Sequence, residues 1–195
     1  RGIRSWLSSQ WSLDHDTRAV TCDGRPYSSH PDAPTANGDV APTLGGSATR
    51  EQTVEITKVA VIGGGTMGSG IAEVCAKSGV DTVVVEADAA AAEAAQRRID
   101  GSMDKAVARE RLSAEDRDAA GGLLSYATSV DSLDDRDMVI EAIVEDESIK
   151  LELFRRLDEI TPDHAILASN TSSIPLINLG MATGRPQQVL GAHFF

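Results

Sequence analysis

Gly63, Gly65 and Gly68 stand at fixed spacing directly after the apolar run 58–62, and Glu86 closes the next such run, 81–85. Each residue type has a purpose if the partner is a dinucleotide. Gly63 lets the chain turn sharply where a side chain would clash. Gly65 leaves the backbone bare for a pyrophosphate, and Gly68 lets the following helix lie close to the sheet. Thr66 and Met67 open that helix, whose free N–H groups and positive end face the phosphates. Glu86 can accept hydrogen bonds from both hydroxyls of the adenosine ribose, and its charge repels a 2′-phosphate, which favours NAD over NADP. Glycine clusters also make plain structural turns. FAD-binding proteins share the same fingerprint, so these residues alone leave the nicotinamide assignment open.

The elements that would position these groups alternate. Strands are expected at 58–62, 81–85, 125–128, 138–144, 165–168 and 189–193, the fourth of them apolar except for Glu141. Helices are expected at 66–77, 89–111, a short stretch capped by Ser113, 148–160 and 174–181. Gly79, Gly121–Gly122 and Thr161–Pro162 act as stops. In the helix at 148–160, Ile149, Leu153, Leu157 and Ile160 form the expected apolar stripe. This alternation predicts an α/β fold of the Rossmann type: a doubly wound, mainly parallel sheet with right-handed crossovers.

Residues 1–52 have a different character. They are rich in Ser, Pro, Gly, Asp and Thr without a sustained period, and cannot bury enough apolar surface to offset their ordering entropy. They are expected to be a disordered polar leader, in which Trp6, Leu7, Trp11 and Leu13 could form a helical turn or a docking patch. The dinucleotide-binding domain is expected over 57–195. The net charge of −12 argues against nucleic acid or an anionic membrane as a main partner. No apolar run reaches bilayer-spanning length. Cys22 and Cys75 lie in unlike settings and make no disulfide framework; Cys75 reads as a small buried hydrophobe. A cytoplasmic location is expected, and no metal.

Three blocks carry a closer resemblance: residues 59–72; Ile140-Glu141-Ala142-Ile143-Val144-Glu145 through Lys150-Leu151-Glu152-Leu153-Phe154; and Ala168-Ser169-Asn170-Thr171-Ser172-Ser173 through Gly191-Ala192-His193-Phe194-Phe195. Over 57–195 the chain resembles the NAD-binding half of the 3-hydroxyacyl-CoA dehydrogenases, including the 3-hydroxybutyryl-CoA dehydrogenases. The resemblance implies hydride transfer from C3 of an (S)-3-hydroxyacyl-CoA to NAD, giving a 3-ketoacyl-CoA. The family's general base falls on His193, and imidazole exchanges its proton near neutral pH as that step needs. The serine that hydrogen-bonds the reacting oxygen falls on Ser172. Asn170 implies a cofactor contact or a loop lock. Glu145 and Lys150 match cofactor-contacting positions, with a solvated ion pair as the alternative. Ser102 and Arg109 align with CoA-contacting positions, with solvated helix residues as the alternative.

In that family a glutamate shortly after the histidine orients it, and an asparagine comes from a helical second domain that also makes a homodimer. Both lie past Phe195, and both ends of this chain look cut. A C-terminally truncated polypeptide that binds NAD weakly and turns over little by itself is therefore expected. Two other readings remain. One is a small β-hydroxyacid dehydrogenase, which shares the glycine bend but relies on a second-domain lysine; the blocks around Asn170 and His193 speak against it. The other is a non-catalytic NAD-binding protein on the same fold.

Overall fold

The computed structural model describes residues 55–194 and, in addition, the backbone of two short strands, β1 (Ser12–Asp14) and β2 (Ala19–Thr21). The chain divides into two units, Arg1–Glu55 and Ile56–Phe195. In the first, β1 and β2 pair antiparallel, with Ser12 opposite Thr21. Leu13 is thus in a strand. The expectation of a disordered leader, and the one placed on Trp6 and Trp11, otherwise fall outside the described residues.

The second unit alternates strand and helix: β3 (Lys58–Ile62), α1 (Thr66–Lys77), β4 (Asp81–Val85), α2 (Ala89–Ala108), α3 (Ala114–Gly121), β5 (Leu124–Ala127), β6 (Met138–Glu141), α4 (Glu147–Ile160), β7 (Ile166–Ser169), α5 (Leu176–Met181) and β8 (Val189–Gly191). The sheet order is β5-β4-β3-β6-β7-β8, and every pairing is parallel. This is the doubly wound Rossmann order, in which the chain starts at the centre, runs to one edge, then returns to build the other half. The crevice at the switch point lies beyond the C-terminal ends of β3 and β6.

Strand alternation divides the core. Val59, Val61, Val84, Met138, Ile140 and Ala168 face one side, against Ile71, Ala72 and Ala76 of α1 and Ala95, Ile99 and Met103 of α2. Ala60, Ile62, Val83, Val85, Val139 and Leu167 face the other, against Phe154 and Leu157 of α4 and Leu179 of α5. Strands buried on both faces read as continuous apolar runs, which is why β3, β4 and β6 stand out in the sequence.

The last strand ends at Gly191 rather than His193, and two further boundaries and one helix face differ from the expected ones for identifiable reasons. The second helix ends at Ala108 rather than near Arg111, because Glu110 turns left-handed with φ 56° and closes the end. The strand expected over 138–144 ends at Glu141, because the Ile143 N–H is taken by the Glu141 carboxylate at 2.8 Å. On α4 the stripe is rotated: Ile149 is 48% exposed, while Lys150, Phe154 and Leu157 are buried. No helix among the described residues is long and apolar enough to cross a membrane.

Candidate functional site

The glycine bend has the geometry its spacing predicts. Gly63 has φ 92°, and a Cβ there would lie 2.8 Å from the Ala142 carbonyl oxygen. A Cβ on Gly68 would sit 1.7 Å from the Gly63 carbonyl oxygen, so the first turn of α1 is pressed directly on the bend. Gly65 differs: a Cβ there would meet nothing within 4 Å, so the bare backbone faces open space. Gly65 is also the N-cap of α1, with no side-chain capping bond and no acid in the first turn. A helix start left uncapped, fronted by open space, suits an anionic group. Met67 and Thr66, in that first turn, are exposed.

Side chains hold the bend from behind. The Glu86 carboxylate accepts the Gly64 N–H at 2.7 Å, which places the acid beside the bend. The Gly64 carbonyl accepts from Ser69 Oγ at 2.7 Å and from the Arg98 guanidinium at 2.5 Å. Arg98 escapes a sequence reading, since it looks like one of several solvated helix cations on α2. Ser69 gave no signal either, being a small residue in a small-residue helix.

The second group of residues lies beyond β6, β7 and β8. Glu141 and Lys150 are 0% and 1% exposed and form an ion pair at 3.0 Å. Ser169 donates to the other Glu141 oxygen at 2.5 Å. Lys150 also donates to Glu145 at 2.7 Å. The hydroxyls of Thr171 and Ser173 donate to the second Glu145 oxygen, the latter at 2.8 Å. The bonds from Lys150 and then Thr171 pull the Glu145 carboxyl down to about 2. The alternative of a solvated Glu145–Lys150 pair is thereby corrected: Lys150 is buried, and its other partner is Glu141. No buried side-chain nitrogen or oxygen among the described residues lacks a partner.

Asn170 follows directly. Its N–H continues the ladder to the Glu141 carbonyl at 2.8 Å, and its side-chain oxygen accepts the Phe194 N–H at 2.8 Å. That bond ties the loop after β7 to the segment holding His193. Ser172 and His193 are both exposed beyond the ends of neighbouring parallel strands, where Ser169 pairs Gly191. Ser102 and Arg109 are apart from this edge. Both are exposed, and at about 1.5 Å per residue they lie roughly 20 and 30 Å along α2 from its start. Burial raises the Cys75 thiol to about 11, as fits a core residue on α1.

The C-terminal edge of the sheet therefore carries one row: Glu86 after β4, the glycine bend after β3, Glu141 at the end of β6, Asn170 after β7 and His193 after β8. From β4 to β8 is four strand spacings, about 19 Å, a length an extended dinucleotide can span. A family model for the 3-hydroxyacyl-CoA dehydrogenase NAD-binding domain matches residues 58–195. The chain belongs to that family. It is similar to the 3-hydroxybutyryl-CoA dehydrogenase of Mycobacterium tuberculosis, with 49% identity over 141 residues, 72% of this chain and 49% of that protein. It is also 39% identical over 141 residues, 72% of this chain and 19% of that protein, to the glyoxysomal fatty acid beta-oxidation multifunctional protein MFP-a of Brassica napus. Among solved structures, FadB2 of M. tuberculosis superposes with a TM-score of 0.70, 49% identity, and coverage of 72% of this chain and 50% of that one. The (S)-3-hydroxybutyryl-CoA dehydrogenase PaaH1 of Ralstonia eutropha gives 0.70, 36%, 72% and 50%. The chain spans about half the length of the 3-hydroxybutyryl-CoA dehydrogenase it matches. NAD is the cofactor of this domain family, and the open, uncapped start of α1 beside Glu86 fits it.

Proposed function

We propose that these residues form the NAD-binding and reacting edge of an enzyme that interconverts (S)-3-hydroxyacyl-CoA and 3-ketoacyl-CoA. The observation that carries the reading is the bond from Gly64 N–H to Glu86, which fixes a ribose acceptor against a bare, uncapped helix start. Glu86 receives the adenosine ribose hydroxyls. The backbone of Gly63, Gly65, Thr66, Met67 and Gly68 holds the diphosphate, and the nicotinamide end extends toward Glu145, Lys150 and Asn170. Bound NAD supplies the acceptor for the hydride leaving C3.

At the reacting carbon, His193 takes the proton of the C3 hydroxyl as general base, and the Ser172 hydroxyl donates to the C3 oxygen. Loss of the hydroxyl proton and the C3 hydride leaves the ketone; in reverse, His193 returns the proton. The base and the donor come from loops beyond adjacent parallel strands, joined through Asn170 to the Phe194 N–H. Ser102 and Arg109, distant along α2, suit only the far end of a long ligand such as CoA. Homodimerisation and turnover are assigned to the whole protein, of whose relatives this chain matches about half.

The test is oxidation of NADH with acetoacetyl-CoA by the full-length product that carries these residues. His193→Gln should lower kcat by about 10²–10⁴-fold, the contribution of a general base, while NADH affinity is kept. Unchanged kcat would remove His193 from the chemistry. No oxidation of NADH by the unmodified protein would favour the non-catalytic reading.

A further inference from the structure

A closed ring of hydrogen bonds and ion pairs, all between side chains except for the Thr171 N–H, adjoins the loop of Asn170 and Ser172. Glu141 pairs with Lys150 at 3.0 Å, and Lys150 reaches Glu145 at 2.7 Å. Glu145 accepts the Thr171 hydroxyl. The Thr171 N–H returns to Ser169 Oγ at 3.2 Å, and Ser169 donates to Glu141 at 2.5 Å. The ring joins the loop after β6 to the loop after β7. It encloses the backbone on both sides of Asn170, whose side chain holds the Phe194 N–H beside His193.

We infer that Glu141 is a positioning residue: its buried carboxylate, with Lys150 as counter-ion, fixes the Asn170–Ser172 loop and, through Asn170, the His193 segment. A buried ion pair is seldom the most stable way to fill a core, since apolar residues of like volume commonly do as well or better. This pair instead sets directions. Glu141 accepts from Ile143 N–H, Lys150 and Ser169, one group from each segment that meets there. A carboxylate has acceptor sites for all three at once, and a glutamine does not, because one of its two heads is a donor. Removing the charge should thus loosen one loop while leaving the glycine bend, held by Glu86, Ser69 and Arg98, in place.

The inference rests on the reading that NAD lies along this edge with its nicotinamide end toward Asn170. The experiment compares NADH and ADP-ribose, which lacks the nicotinamide, in binding titrations by saturation-transfer NMR on the 195-residue chain. Amide exchange over 169–174 is followed in parallel. Glu141→Gln should weaken NADH by about 10-fold and speed exchange in that loop, with ADP-ribose affinity unchanged. Ser169→Ala removes the bonds of that hydroxyl to Glu141 and from Thr171 N–H, keeps the ion pair and leaves the loop held to the ring by Glu145 alone; it should show the same selective pattern if Glu141→Gln does not fold. Equal weakening of both ligands, or unaltered NADH affinity and exchange in a folded variant, overturns the inference. Failure of the unmodified folded chain to bind either ligand would instead overturn the NAD reading itself, and the exchange data would still decide whether Glu141 holds the loop.

Discussion

The two ends of the candidate site are built by different means. At the bend after β3, shape does the positioning: Gly68 is pressed onto Gly63 at a distance no side chain tolerates, and Gly63 takes a left-handed turn. A few side chains, Glu86, Ser69 and Arg98, then clamp the two polar groups of Gly64. Beyond β6 and β7, the backbone is ordinary and side chains do the positioning, through Glu141, Lys150, Glu145, Ser169 and Thr171. Steric fit is all or nothing and insensitive to pH. A charge network is graded, depends on protonation, and can be loosened one bond at a time. The half proposed to hold a diphosphate uses the first, and the half proposed to order a base and a hydroxyl uses the second.

Substitutions should separate the two halves. The largest effect is expected at Gly68→Ala, where the new methyl would lie 1.7 Å from a backbone oxygen. No rotamer relieves a methyl that close to backbone, so the cost should exceed the about 1–3 kcal/mol of ordinary overpacking; thermal melts should show the lowest midpoint of the variants compared, and a native-like melt would contradict the steric account.

Lys150→Met comes next. It leaves Glu141, 0% exposed, without its counter-ion. Losing one partner of a buried pair costs about 3–5 kcal/mol, read as a lowered urea midpoint. Where the variant still folds, ADP-ribose binding should persist, since the bend does not depend on Lys150.

Glu86→Ala should hardly touch the second half. Loss of the carboxylate that accepts the buried Gly64 N–H removes about 1.5–3 kcal/mol of stability. Loss of the ribose acceptor should weaken NADH by about 10–100-fold, since hydrogen bonds to a charged group are worth about 1.5–3 kcal/mol, and calorimetric titration checks this.

The smallest effect is expected from acid. The Glu145 carboxyl is held at about 2, below its ordinary 4.5, by the bonds from Lys150 and Thr171. A lowered native pKa means a contribution that is present in full above pH 4.5 and is lost as the pH falls toward 2. Its side chain is 42% exposed, so solvent screening keeps the contribution small. The stability difference between the unmodified chain and Glu145→Gln should shrink over that window. A difference that stays constant would show that the network does not act through the Glu145 charge.

The same contrast explains what a sequence can disclose. A glycine at a strand end, another two residues on and a third after that has few meanings, and the bend, β3, β4 and the Rossmann order were all legible from such residues and from apolar runs. Charged residues carry less information, because the same Lys serves a solvated face or a buried ring. Lys150 lies one position from Ile149, where the sequence leaves a cofactor contact and a solvated ion pair both open and sets Ile149 on the apolar stripe; the structure buries the lysine and exposes Ile149. Glu141 did show itself as the one acid in an apolar strand, but its partners Ser169 and Lys150 are brought in by β7 and α4, and no local pattern points to them. Arg98 is the converse: it looks solvated on α2 and reaches the Gly64 carbonyl only through the fold.

The central claim is that Glu86 and the bare glycine bend form the adenosine half of an NAD site. It is tested most directly by titrating NADH and NADPH into the folded chain under identical conditions. The account predicts saturable binding of NADH and at least about 10-fold weaker binding of NADPH, because the Glu86 carboxylate repels a 2′-phosphate. A folded chain that binds neither, or that binds both equally, would contradict it.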